Sequence, residues 1–305
     1  MSRRRKGRDI HGIVLLDKPA GWSSNQAVQK VRWLFEARKA GHTGSLDPFA
    51  TGMLPICLGE ASKTAACMLD AAKTYIAEAR LGQATSTGDI EGDIVGEAAV
   101  PGPDCAPIRA ALARFEGRIR QIPPMYSALK HQGQPLYKLA RAGREVPRAA
   151  REVTVHALSL LRWEPPLLEF RLHCSKGTYV RTLAEDIGLE LGSRAHLTAL
   201  RRLTVEPFGE SAMVGLDQLE AMREAGTLEH CLLAADAGLQ AWPVVALGEA
   251  DAARFGHGNR VEGVAATAGP VRVYGPAGLL LGLGEVNAAH VLEARRVFNQ
   301  IVSDA

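Results

Sequence analysis

The chain has 305 residues, of which 47% are hydrophobic and 23% charged, and its formal net charge is +3. It is long enough for one large core and a small second domain. No apolar run approaches the roughly 20 residues of a membrane-spanning helix, and no apolar stretch of signal-peptide length follows the basic N-terminus, so we expect a cytoplasmic protein without a membrane partner.

The cysteines and acids argue against a metal site. The five cysteines are odd in number and widely spaced, with no Cys-x-x-Cys pair and no nearby group of histidines, which argues against disulfides and zinc. The acids of the polar segment 84–96 are spaced loosely like calcium ligands but lack the paired positions and closing glutamate of a calcium loop. We therefore predict no metal and no cofactor.

Basic residues occur in separate clusters along this nearly neutral chain. The clusters are Arg3 to Arg8; Lys30, Arg32, Arg38 and Lys39; Arg141, Arg144, Arg148 and Arg151; and Arg194, Arg201 and Arg202. Any one of them could be a solvated helix face, but several together predict a surface that faces a polyanion, and RNA fits this pattern better than a membrane does.

The first predicted elements are a fully apolar strand over residues 12–16 and a helix that Ser24 or Asn25 can cap. Apolar residues recur in this helix at three- and four-residue spacing, which defines one buried face. Its other face should carry Lys30, Arg32 and Lys39 toward the loop that follows.

That loop, residues 41–52, holds three glycines and a proline around one carboxylate, Asp47, and we call it the acid loop. The glycines allow positive φ angles and close approach to a ligand, and Pro48 fixes the direction in which the chain leaves the acid. An isolated Asp-Pro pair is most often a plain surface turn. The apolar run that begins at residue 53 favours an acid placed beside a buried element.

A short helix over 61–69 and an alternating strand over 73–81 come next. Tyr75 lies near the start of this strand, where a tyrosine either packs in the core or offers its ring face to a base. The polar segment 84–96 predicts a mobile loop or an irregular hairpin, and a helix follows at about 107–116.

Residues 122–141 resemble a wall that faces nucleic acid, because a Pro-Pro step extends the chain and polar, aromatic and basic residues interleave after it. Strands over 153–161 and 168–174 follow, and the second alternates cleanly. A helical stripe then begins at Val180. Arg181 lies in its first turn, where a cation opposes the helix dipole, so it should have a carboxylate partner. The partner is either an acid distant in the chain or Glu185, one turn further along the helix.

Trp242-Pro243 marks a boundary near the C-terminus. A helical turn and short strands beyond it predict a small all-β module of the barrel or sandwich type. The predicted strands cover 271–275, 279–285 and 292–298.

The acid loop and its flank read Gly-His-Thr-Gly-Ser-Leu-Asp-Pro-Phe-Ala-Thr-Gly-Met-Leu-Pro-Ile-Cys-Leu-Gly-Glu-Ala, which resembles the catalytic motif of the bacterial tRNA pseudouridine-55 synthases, the TruB family. The resemblance extends over residues 2–302. It implies an α+β fold with a mixed, mostly antiparallel sheet, flanking helices and a small C-terminal all-β PUA-like barrel. The implied division is a basic arm (1–10), a catalytic domain (11–240) and a PUA-like RNA-binding domain (241–305).

The resemblance also implies roles for individual residues. The aspartate that matches Asp47 is catalytic, and the arginine that matches Arg181 pairs with it. The other implied substrate-binding residues are Tyr75, which stacks on the target uracil; Tyr179 and Leu200, which line its pocket; and Lys18 and Pro19, which support the floor of the site.

The implied reaction is isomerisation of uridine 55 in the T-loop of tRNA. The C1′–N1 bond must break and the uracil must turn and rejoin through C5. One carboxylate can attack the sugar or the base, or it can stabilise charge while C2′ is deprotonated. The stacked base must first be extruded, and His42 is the candidate wedge for the gap, although it could be a solvent-facing loop histidine.

Two other functions compete with this one. The first is an RNA-binding or tRNA-folding module without chemistry, against which Asp47, Tyr75 and Arg181 together argue. The second is a guide-RNA-dependent synthase, against which the absence of extra tails argues. We expect a monomer whose partner is the T-arm stem-loop of tRNA, with no guide RNA.

Overall fold

The computed structural model describes residues 7–210 and 213–299, so most of the predicted basic arm lies outside the described residues. The helices are α1 (Ser24–Leu34), α2 (Ala65–Met68), α3 (Cys105–Ala113), α4 (Leu136–Arg141), α5 (Val180–Glu190), α6 (Leu216–Glu224) and α7 (Glu249–Gly256). The strands are β1 (Gly12–Lys18), β2 (Ala40–His42), β3 (Thr51–Leu58), β4 (Lys73–Leu81), β5 (Gln83–Thr85), β6 (Ile94–Glu97), β7 (Gly117–Gln121), β8 (Lys130–His131), β9 (Gln134–Pro135), β10 (Arg151–Glu164), β11 (Leu167–Cys174), β12 (Ala195–Val205), β13 (Val244–Ala246), β14 (Gly269–Tyr274), β15 (Leu280–Val286) and β16 (Leu292–Val297).

The main sheet has the strand order β1-β3-β12-β4-β11-β10-β7, and β2 pairs with β3 at one side. Its pairings are antiparallel except for a short parallel contact between β12 and β3. This confirms the predicted α+β fold with a mixed, mostly antiparallel sheet. The polar segment 84–96 forms the irregular hairpin β5-β6.

The apolar sequence of β1 follows from burial on both of its faces. Val14 and Leu16 pack with α1, β3 and α6, whereas Ile13 and Leu15 pack with α2 and the C-terminal part of the chain. A strand covered on both faces needs a continuous apolar run rather than alternation. Strand β11, by contrast, alternates as predicted, with its even-numbered residues buried.

The cap of α1 differs from the prediction. Ser23 is the N-cap and forms a capping box with Gln26. Ser24 is buried instead, and its hydroxyl donates to the Leu46 carbonyl (2.9 Å) and accepts from the Leu46 amide (2.7 Å). The helix therefore holds the acid loop through the side chain that was predicted to cap it.

The polar face of α1 does not face the acid loop as predicted. Lys30 pairs with Glu220 of α6, and Arg32 donates to the Ala37 carbonyl. Lys30 thus lies at a helix-helix contact, because α6 packs beside α1 and supplies a carboxylate.

The C-terminal strands form one open sheet in the order β13-β14-β15-β16, with α7 packed against it. The predicted all-β module is confirmed apart from this helix. The predicted barrel is wrong, because within the described residues no pairing joins β13 to β16. The sequence also missed β13, a three-residue strand that pairs in parallel with β14.

The C-terminal sheet shares a core with the main sheet. Leu283 and Phe298 are buried in one apolar cluster with Ile13 and Met53. Arg272 of β14 also forms a buried ion pair with Asp236 (2.9 Å), which precedes the predicted domain boundary. In the described part of the chain no helix is long and apolar enough to cross a membrane.

Candidate active site

The acid loop is closed by the chain around it. A turn forms where the Ala50 amide donates to the Asp47 carbonyl (3.1 Å). Gly52 takes a φ of +98° and lies against β12 so closely that a Cβ there would be 2.2 Å from the Arg202 carbonyl oxygen. Only glycine fits this position, since it has both the left-handed conformation and no space for a side chain.

Lys18 supports the acid loop by hydrogen bonds to backbone carbonyls, and the Pro19 carbonyl is one of the acceptors. The fully buried Lys18 Nζ donates to the carbonyls of Pro19 (2.9 Å), Trp22 (2.6 Å) and Pro48 (3.2 Å). Burial lowers the pKa of Lys18 to about 8, although the Asp47 carboxylate acts in the opposite direction. The ammonium has no proton left for a ligand, so its place fits the predicted floor of the site.

Arg181 contacts Asp47 through two nitrogens. Its Nε lies 3.0 Å from Asp47 Oδ2 and its Nη2 donates to Oδ1 at 3.3 Å. Nη2 also donates to the Tyr126 carbonyl at 2.7 Å, so the guanidinium is fixed on two sides. The alternative that Arg181 pairs only with Glu185 is therefore wrong.

Asp89 is a second acid at this guanidinium, and the sequence prediction missed it. Its Oδ2 lies 3.1 Å from Arg181 Nη1, and its side chain is only 3% exposed. Burial raises the pKa of Asp47, Arg181 lowers it and Asp89 raises it. One arginine is thus shared by two carboxylates, and the net charge of the trio is negative when both acids are ionised.

A cavity of about 270 Å³ opens beside Asp47 and is lined by Tyr75. We call it the Tyr75 cavity. Four of the predicted substrate-binding residues line it: Tyr75, Tyr179, Arg181 and Leu200. Tyr75 and Leu200 are both 7% exposed and lie on the neighbouring strands β4 and β12. Aromatic and aliphatic side chains around a carboxylate can hold a flat base, since stacking and apolar contact do not depend on hydrogen bonds.

Tyr75 and Tyr179 are held differently. Burial raises the pKa of Tyr75, while the neighbouring Arg202 lowers it, so the phenol keeps its proton. Tyr179 is the N-cap residue of α5, and its backbone is fixed by Gln121, which accepts from the Tyr179 amide (3.0 Å) and donates to its carbonyl (3.2 Å).

Comparisons with known proteins assign the chain to a family. The family profile described as "TruB family pseudouridylate synthase (N terminal domain)" matches residues 32–180. Two further profiles match residues 181–240, "tRNA pseudouridylate synthase B C-terminal domain", and 243–298, "Pseudouridine synthase II TruB, C-terminal". A relative from Chromohalobacter salexigens, named tRNA pseudouridine synthase B, is 50% identical over 303 residues, which are 98% of each chain. The chain belongs to the TruB family.

Further relatives agree with this TruB assignment. A protein of the same name from Pseudomonas aeruginosa is 50% identical over 96% of this chain and 98% of its own. Among solved structures, one titled as a Cbf5-Nop10-Gar1 complex has a TM-score of 0.72 at 26% identity and covers 94% of this chain and 85% of that chain. The chain is thus an enzyme, an isomerase of the pseudouridylate synthase class, as predicted.

His42 does not line the Tyr75 cavity. It lies at the end of β2 and borders a second cavity of about 670 Å³, which Asp47 and Arg181 also line. Its Nδ1 accepts from the Gly44 amide (3.2 Å), and burial lowers its pKa, with Arg202 acting in the same direction. His42 is therefore a neutral, oriented ring within the acid loop rather than a freely solvated one.

Proposed function

We propose that this TruB enzyme isomerises uridine 55 in the T-loop of tRNA to pseudouridine and acts in the cytoplasm. The observation that carries the proposal is the Asp47–Arg181 pair at a base-sized cavity lined by Tyr75 and Leu200. The relatives at 50% identity are named tRNA pseudouridine synthase B, which supports tRNA as the substrate.

In the proposed mechanism the target uridine leaves the stack and its base enters the Tyr75 cavity. Asp47 attacks the sugar or the base, or stabilises charge at C1′ while C2′ loses its proton. Arg181 keeps the carboxylate ionised and aimed. Tyr75 stacks on the uracil, Tyr179 and Leu200 close the pocket, and Lys18 and Pro19 hold the floor.

We propose that the His42 side chain fills the space that the extruded base leaves. Its neutral ring borders the cavity on the other side of Asp47, where an RNA loop would lie. A neutral imidazole can enter a base stack with a smaller desolvation cost than a cation. We propose residues 11–240 as the catalytic unit and residues 241–305 as an RNA-binding unit, with the basic arm 1–10 as a further contact.

The test is incubation of the purified enzyme with an unmodified tRNA transcript and with a T-arm stem-loop, followed by mapping of pseudouridine. Asp47→Asn should reduce the product to background while RNA binding persists. Asp104→Asn is the matched control, because Asp104 is an exposed N-cap of α3 and asparagine caps helices as well as aspartate does.

The same experiment separates the alternatives. An RNA-folding module without chemistry would give no product from wild-type enzyme and equal binding by both variants. A guide-dependent synthase would need added RNA or protein partners, whereas we propose that the purified monomer suffices. Near wild-type product from Asp47→Asn would show that this residue is not the catalytic acid.

A further inference from the structure

Two buried cations at the Tyr75 cavity have no carboxylate partner. Arg202 of β12 is 1% exposed and Lys73 of β4 is 7% exposed, and both line the cavity. Within residues 7–210 and 213–299 neither has an acidic oxygen within 4.0 Å, whereas Arg181 has two acids. A buried charge without a counter-ion is costly, so its position calls for a function.

Arg202 uses three of its five N–H donors in hydrogen bonds to backbone carbonyls. Its Nε donates to the Met53 carbonyl (2.6 Å), Nη1 to Ser45 (3.4 Å) and Nη2 to Gly44 (3.1 Å). Gly44 and Ser45 belong to the acid loop, and Met53 follows it directly in β3. A guanidinium has five N–H donors, so two remain after these carbonyls. The Tyr75 phenol takes a side-chain hydrogen bond from Arg202, which leaves one donor for a ligand.

Lys73 is placed in the same way. Its Nζ donates to the carbonyls of Leu69 (3.2 Å) and Ala71 (2.6 Å), which leaves one of its three protons. Both cations flank Gly44: a Cβ there would lie 3.8 Å from Arg202 Nη1 and 3.8 Å from Lys73 Cε. Lys18 differs, because its three protons are all given to carbonyls.

We propose that Arg202 and Lys73 hold the detached uracil as an anion while it turns. This inference rests on the proposed function and assigns residues to its central step. When C1′–N1 breaks, the electron pair stays on the base, which becomes an anion. C1′ is meanwhile bonded to an Asp47 oxygen, or C2′ has lost a proton to give a glycal. C1′ then bonds to C5 while its bond to the Asp47 oxygen breaks or, on the glycal route, while C2′ regains its proton. The C5 proton leaves and N1 gains one, so the overall change is an isomerisation.

The charge of Lys73 sets a pH limit on this assistance. Burial lowers the pKa of Lys73 to about 8. The titratable and charged groups that face it act as follows: Arg202 of β12 lowers the pKa further, while Cys174 of β11, Asp70 after α2 and Glu206 after β12 raise it. The ammonium is present below this pKa and is lost as the pH rises through it, so stabilisation of the anion should weaken above about pH 8.

The first test measures binding of a free base and needs no turnover. The ring of 5-nitrouracil is ionised at neutral pH, whereas that of uracil is neutral. Wild-type enzyme should bind 5-nitrouracil at least roughly tenfold more tightly than uracil, as measured by absorbance titration. Lys73→Met should lose most of this preference. Arg171→Met is the control, because Arg171 is an exposed arginine on the neighbouring strand β11.

The second test follows single-turnover rates on the T-arm stem-loop between pH 6 and 10. Lys73→Gln should be slower by roughly 10- to 100-fold at pH 7. Its alkaline fall above about pH 8 should be smaller than that of wild-type enzyme, in which Lys18 also has a pKa of about 8. Lys73→Arg should regain rate at pH 9, because its guanidinium stays charged. A structural role for Lys73 would change stability without moving this alkaline limb.

Two results would overturn the inference: equal binding of 5-nitrouracil and uracil by wild-type enzyme, or a preference that Lys73→Met retains in full. Arg202→Met could also disturb the acid loop, so the conclusion is drawn from the Lys73 variants. If wild-type enzyme binds the anionic base tightly but forms no pseudouridine, the proposed function fails and the anion site remains.

Discussion

Replacement of Arg181 by lysine should separate binding of RNA from catalysis. The guanidinium bridges Asp47, Asp89 and the Tyr126 carbonyl, and its side chain is only 6% exposed. A lysine carries the same charge but cannot copy a planar fork that reaches several acceptors at once. Arg181→Lys should therefore leave Asp47 poorly aimed while the charge of the site is unchanged.

The expected losses of rate and of unfolding free energy follow from how exposed each contact of Arg181 is. Hydrogen bonds to charged groups contribute about 1.5–3 kcal/mol, which corresponds to roughly 10- to 150-fold in rate. Asp47 is 36% exposed, and solvent screening favours the lower end, so we expect about a tenfold loss of rate from this contact. Asp89 is 3% exposed, but the lysine keeps a cation beside it, so the loss of unfolding free energy should stay below the roughly 3–5 kcal/mol of a buried charge that has lost its partner.

The assay combines single-turnover rates on a T-arm stem-loop, filter binding and thermal unfolding. RNA affinity should change by less than about threefold, while the rate falls by at least about tenfold. Arg114→Lys is the matched control, since Arg114 makes an exposed ion pair with Glu190 of α5. A folded Arg181→Lys enzyme with an unchanged single-turnover rate would refute the role of this arginine in aiming the acid.

Three further predictions use the same RNA substrates. Tyr75→Phe and Tyr75→Leu should both lose turnover, and only the leucine should also weaken base capture, because it removes the aromatic face; full activity in Tyr75→Phe would exclude proton transfer through its hydroxyl. His42→Ala should slow base extrusion without abolishing the chemical step, and the fluorescence of a 2-aminopurine next to the target measures this extrusion. An unaltered extrusion rate would show that His42 is not the wedge. Deletion of residues 241–305 should destabilise the enzyme by at least about 3 kcal/mol in chemical unfolding, because it removes Leu283 and Phe298 from the apolar cluster of Ile13 and Met53; unchanged unfolding would mean that the two sheets do not depend on their shared core.

Local patterns predicted many of the elements of this fold, since burial on one or both faces shows in the sequence. Strand β4 spans Lys73–Leu81, as the alternation predicts, and α5 begins at Val180. The acid loop was also predictable, because its glycines, its proline and Asp47 are contiguous.

The remaining site residues depend on contacts that are distant in the chain. Asp89 reaches Arg181 across 92 residues, and its polar, glycine-rich segment resembles any surface hairpin. Arg202 lies in a cluster predicted to face a polyanion at the surface, yet it is buried, whereas its neighbour Arg201 pairs with Asp17. The difference comes from the register of β12, which places Arg202 opposite Gly52 of the acid loop, and sequence periodicity alone does not give that register.

The charges around the Tyr75 cavity fall into two groups, and the proposed reaction moves charge from one to the other. Asp47 is coupled to Arg181, Asp89 and Lys18, while Lys73 is coupled to Arg202. If Asp47 bonds to the sugar, the negative charge that it carried passes to the departing base. The acidic trio then loses a charge that repelled Asp89, and the two unpaired cations gain a counter-ion. A preorganised field of this kind favours the state with charge on the base without reorganisation of the protein, which is the condition for electrostatic catalysis.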